Sequence, residues 1–93
     1  MAELTGRIAD FVSTPLPVPA DVANVVRRGF IDTVATMLAG RGEPVVQVVR
    51  RWADRRRSTA HEASVLFGPE RAASADAALI NATSAHALDY DDV

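Results

Sequence analysis

The chain has 93 residues, a formal net charge of −2 and a hydrophobic fraction of 48%. That size bounds it to one domain or part of one, and the apolar content excludes disorder throughout. It contains no cysteine, which excludes disulfides, thiolate nucleophiles and zinc–thiolate sites and fits a reducing cytoplasm. The ten basic residues are all arginine, and the small negative balance gives no electrostatic footprint for a nucleic-acid partner. No apolar run nears the roughly 20 residues that span a bilayer, so no membrane partner is expected. The opening MAELTGRIADF lacks the basic-then-apolar order of a secretory signal.

In chain order, Leu4, Ile8, Phe11 and Val12 share one helical face, which predicts a short helix over 4–12 that needs a larger body to dock on. STPLPVP (13–19) has three prolines at alternate positions and reads as an extended connector. The strongest helix is predicted over 20–39. Val22, Val25, Val26, Phe30, Val34, Met37 and Leu38 form its apolar side, and Asp21, Asn24, Arg28, Asp32 and Thr36 its polar side. Asp32 is within reach of Arg28 for an exposed pair worth a few tenths of a kcal/mol, and Gly40 supplies a stop.

A third helix is predicted from Pro44, with Val45, Val48, Val49 and Trp52 as its buried stripe; the valine density would also suit a strand. The arginines 50, 51, 55, 56 and 57 read as a solvated face, and His61 as a surface histidine. EASVLFG (62–68) is a short extended segment closed by Gly68-Pro69. Ser74 is placed as the N-cap of an alanine-rich fourth helix running from Ala75 to about Leu88. Four helices with little strand content predict an all-α fold.

The chemistry-bearing stretch is AHALDYDDV (85–93). His86 and Asp89 are three apart and would share a helical face, with Asn81 and Thr83 further back and the adjacent Asp91 and Asp92 in the exit turn. A divalent cation on His86, Asp89 and a paired aspartate is one use of such groups. The calcium-loop pattern fails, because its fifth position is Val93 and no glycine follows. Acid–base work by His86 or Asp89 is a second use, since imidazole exchanges protons near neutral pH and a neighbouring carboxylate fixes its tautomer. A solvated acidic end is the third.

AALINATSAHALDYDDV resembles the signature of the MmgE/PrpD family, and FIDTVATMLAG and SVLFG are similar to that family's opening segment in the same order. The resemblance spans nearly the whole chain, and the histidine-to-aspartate run is its most specific part. It implies an all-α body that is the N-terminal part, over residues 1–93, of a large helical domain completed elsewhere. It implies a lyase without metal or organic cofactor that acts on a small di- or tricarboxylate by proton transfer next to a carboxylate. Family activities are 2-methylcitrate dehydration, cis-aconitate decarboxylation and iminodisuccinate epimerisation, with dehydration of a methylcitrate-like acid the first expectation here.

By the same resemblance Asp89 and His86 are catalytic, and Asp91, Asp92 and Asn81 bind substrate or shape the site. The implied partners are a small carboxylate substrate and the remainder of the enzyme or a homodimer partner. A cytoplasmic location is expected, and so is inactivity of residues 1–93 alone. Val93 stands where the decarboxylase branch has threonine, which removes a hydroxyl contact and tells against decarboxylation. Ala82 follows Asn81 where the family often has glycine. The alternative is a small helical interaction module whose acidic end is incidental.

Overall fold

The computed structural model describes residues 2–90. Four helices dominate: α1 (Ala2–Ser13), α2 (Ala20–Gly40), α3 (Pro44–Arg55) and α4 (Ser74–His86). Between α3 and α4 lie two short strands, β1 (Ala63–Ser64) and β2 (Arg71–Ala72), paired antiparallel with Ala63 opposite Ala72 and Ser64 opposite Arg71. The fold is therefore all-α with a minute hairpin, and the single extended segment expected around 62–68 is one arm of that hairpin.

The core sits where α3, the hairpin and α4 meet. Val46, Val65, Ala77 and Ile80 are buried together, with Val49, Ala53, Ala63, Ala72 and Ala87 packed against them. This corrects the expected stripe of α3. Val46, Val49 and Ala53 turn inward, whereas Val45, Val48 and Trp52 are about half exposed. A run of valines supports either of two adjacent faces, and the packing of α3 against α4 selects the one that carries Val46 and Val49.

The most extensive helix packing is between α2 and α4. It does not use the apolar side of α2. Thr36 and Gly40 are its buried residues, while Val22, Val25, Val26, Phe30, Val34 and Leu38 stay exposed. The apolar face of α1 (Leu4, Ile8, Phe11, Val12) is exposed as well, and α1 makes no substantial packing with the other elements among the described residues. Both faces have the patterning of surfaces made to be covered.

Gly40 ends α2 as expected, for a different reason. It is not in the left-handed conformation of a glycine stop; no described glycine has positive φ, and Arg41 after it is still helical at φ −58°. A Cβ on Gly40 would instead collide with the Ser84 carbonyl oxygen and lie 3.3 Å from Ala87 Cβ. Glycine is here because the α2 backbone touches the α4 backbone.

Polar tethers complete the fold. Two of the five clustered arginines also form ion pairs, from side chains that stay partly in solvent. Arg50 pairs with Glu70 of the hairpin loop. Arg56 reaches to 3.2 Å from Oδ1 of Asp76, which is only 3% exposed, and also lies over the Trp52 ring at 5.0 Å. The Arg56–Asp76 pair has the distance of an ion pair but not the alignment of a hydrogen bond. The expected Asp32–Arg28 pair is not formed among the described residues; on that stretch Arg27 donates to Asn24 Oδ1 at 2.7 Å instead. Arg71 donates to the His61 and Glu62 carbonyls and to Ser64 Oγ at 3.0–3.2 Å, stitching β2 across to β1.

Candidate active site at the end of the fourth helix

The start of α4 is fixed by a residue distant in sequence. Ser74 is not the N-cap; Ala73 occupies that position, extended at ψ 144° and with no capping side chain of its own. Glu62, just before β1, fills the role instead. Its Oε1 accepts the Ser74 N–H at 3.2 Å, putting a carboxylate where the helix dipole favours one.

About two turns further along, Asn81 fastens the hairpin to the helix. Its Oδ1 accepts the Leu66 N–H and its Nδ2 donates to the Ser64 carbonyl, both at 3.0 Å. A side-chain amide thus pairs with the β1 edge as a neighbouring strand would. Asn81→Ala leaves one backbone donor and one acceptor without partners at a partly wet site, so a loss of about 1–2 kcal/mol is expected. Denaturant titration measures that loss, and faster amide exchange at Leu66 locates it.

The last turn lies against α2. Ser84 is buried, and its Oγ donates to the Ile80 carbonyl at 3.0 Å. Thr83 donates to the Leu79 carbonyl at 2.7 Å, which turns its hydroxyl back onto the helix. His86 is exposed and lines a groove of about 450 Å³ with Val45, Ala82, Thr83 and Ala87.

The helix ends at His86, two residues earlier than the spacing predicts, and Ala87 remains helical at φ −61°. Asp89 then takes φ 58°, and its N–H donates to the His86 carbonyl at 3.0 Å. Asp89 is consequently not the next residue on the His86 face. The backbone reverses hand at Asp89 and carries it off the helix axis into solvent. Left-handed backbone costs a non-glycine residue about 1–2 kcal/mol, least for Asn and Asp, whose short polar side chains bond locally.

Asp91, Asp92 and Val93 lie outside the described residues. Among those described, no three His, Asp or Glu side chains gather into a metal-holding group. His61 is exposed in the segment before β1, where its carbonyl serves Arg71, and it lines a separate small cavity with Arg57 and Asp76. No helix among the described residues is long and apolar enough to cross a membrane. The residues that sequence reasoning missed are Glu62, Asp76 and Gly40. The first two act on partners 12 and 20 positions away, beyond any local pattern, and Gly40 reads as an ordinary helix stop.

No curated protein and no solved structure gives a significant match to this chain. The sequence does match the MmgE/PrpD N-terminal domain, over residues 6–93. That span takes in α2, α3, the hairpin, α4 and the polar run that follows it. The chain therefore belongs to the MmgE/PrpD family and carries its N-terminal domain.

Proposed function

We propose that this chain supplies one wall of the active site of a lyase that dehydrates a small di- or tricarboxylate resembling 2-methylcitrate, by proton transfer at the carbon next to a carboxylate. The observation that carries the proposal is Asp89, a non-glycine residue held at φ 58° one hydrogen bond beyond His86. Strained backbone of this kind is concentrated at functional sites, where it aims a side chain that a regular helix would misdirect.

In the proposed step a base takes the proton from the carbon adjacent to the carboxylate. The C–H electron pair becomes the new C=C bond, and the β-hydroxyl leaves with a proton as water. Asp89 and His86 are assigned to this acid–base work, with the imidazole suited to exchange a proton near neutral pH. Asn81 has a site-shaping role, supported by its use of both amide ends to seat the hairpin. Asp91 and Asp92 are assigned the same role on the family signature alone.

The exposed apolar faces of α1 and α2 support a larger helical body around this wall, built from further parts of the enzyme or from a second copy. The same faces favour the rival reading, a helical interaction module. Assaying the whole protein against a panel of di- and tricarboxylates separates the two. Turnover that persists after exhaustive EDTA treatment is expected. No turnover of any acid would favour the module, and loss on chelation would favour a metal held by the aspartates.

A further inference from the structure

Ten residues separate Asp76 from His86, about 15 Å of helix. At the Asp76 end a polar cavity of about 130 Å³ lies between the exit of α3, the hairpin and α4. One water needs only roughly 10–15 Å³, so this space admits a ligand of several heavy atoms. Asp76 forms part of its wall. That residue is 3% exposed, and its buried Oδ1 accepts no hydrogen bond among the described residues. Arg56 balances its charge from 3.2 Å but lacks the alignment to donate. A buried acceptor in this state is rare and costly, and what it lacks is a donor.

The other walls offer donors. Arg57, His61 and Arg71 line the same cavity. Arg71 is tied to the His61 and Glu62 carbonyls and to Ser64 Oγ, and it keeps its charge. The Arg57 and His61 side chains make no hydrogen bond or ion pair among the described residues. The first turn of α4 adds the N–H groups of Ala75 and Asp76, which have no carbonyl within the helix to meet. Of the acids on the wall, Glu70 is paired with Arg50 and Asp76 with Arg56. That leaves Asp54 alone against Arg57 and Arg71, a positive balance around one buried acceptor. A bare cation would meet two arginines here. An oxyanion without a proton would leave Asp76 Oδ1 unanswered. The geometry points to a site for an oxyanion that keeps a proton at neutral pH, namely hydrogen phosphate. Its P–OH donates to Asp76 Oδ1, and its charged oxygens accept from Arg57, His61 and the first-turn N–H groups.

The test is calorimetric titration of the whole protein with inorganic phosphate and with sulfate, at neutral pH and equal ionic strength. Sulfate has the same shape and no proton. Phosphate should bind at least about 10-fold more tightly, the worth of one hydrogen bond to a charged group. Asp76→Asn keeps the shape, removes the charge and places an amide at the proton's acceptor, so the ratio of the two affinities should fall to about one. Arg57→Gln changes an exposed side chain and should weaken both anions by about 10-fold while keeping their ratio. Equal affinity for the two anions in wild type, or binding of neither, overturns the proposal. So does a preference for phosphate that survives Asp76→Asn. Should Asp76→Asn not fold, Arg57→Gln decides with the wild-type ratio, and wild-type phosphate affinity in that variant overturns the proposal.

Discussion

Asp89→Asn is expected to lower turnover of the carboxylate substrate by about 10²–10⁴-fold, the usual contribution of a positioned general acid or base. The substitution is nearly isosteric and keeps the backbone content. Asparagine tolerates positive φ as well as aspartate does, so the φ of 58° and the N–H donation to the His86 carbonyl should survive. Asp89 is exposed, so no buried partner is orphaned. The melting temperature should stay within a degree or two, since exposed substitutions usually act within about 0.5 kcal/mol. Loss of turnover with stability retained is the pattern of a lost proton-transfer group. Turnover close to wild type would assign Asp89 a purely conformational role and favour the interaction-module reading.

Gly40→Ala is expected to have the largest effect on stability. The added methyl would meet the Ser84 carbonyl oxygen within van der Waals contact and Ala87 Cβ at 3.3 Å. The first obstacle is backbone inside a helix, and neither side chain involved has a flexible end that could swing away. Relief requires moving α2 off the last turn of α4. Overpacking of this kind costs about 1–3 kcal/mol and sometimes more, even after alanine's helix advantage over glycine is counted.

Gly29 is the internal control. A Cβ there meets nothing within 4 Å, so Gly29→Ala should stabilise by about 0.5–1 kcal/mol, the helical preference for alanine alone. Chemical denaturation of the two variants side by side checks both signs. Because Ser84 and Ala87 flank His86 in sequence, Gly40→Ala should also reduce turnover, whereas Gly29→Ala should not.

These two residues mark where the sequence was informative and where it was not. The four helices are legible because proline, glycine and apolar spacing are local signals. Pro44 and Gly40 mark boundaries that the structure keeps, and the α2 helix runs within one residue of its predicted end. Which face of each helix is buried was not legible. Val45 and Val46 are chemically identical, and only the position of α4 decides that Val46 turns inward. On α2 the apolar face points away from α4, and the buried contact is made by Thr36 and Gly40. Amphipathic spacing identifies a face that wants a partner, not the partner it meets.

The candidate site follows the same division. The spacing of three between His86 and Asp89 is visible, but the shared helical face it predicts is not formed, because the helix ends at His86. The reversal of backbone hand between them is not visible, because a left-handed aspartate has no sequence signal as strong as glycine's. Arg57 and Phe67 also take positive φ, at 51° and 68°. Asp89 is thus one of three such non-glycine residues among those described, and the one that carries an acid–base group.

The central claim is that Asp89 moves a proton at the carbon next to a substrate carboxylate. The most direct measurement follows the proton NMR signal of that C–H in D₂O, with the whole protein and then with its Asp89→Asn variant. Wild-type protein should remove the signal, by elimination to the alkene or by exchange for deuterium, and the variant should do so at least about 100-fold more slowly, the low end of general-base effects. Loss of the signal at the wild-type rate in Asp89→Asn, or no loss with wild-type protein on any acid of the panel, would contradict the claim.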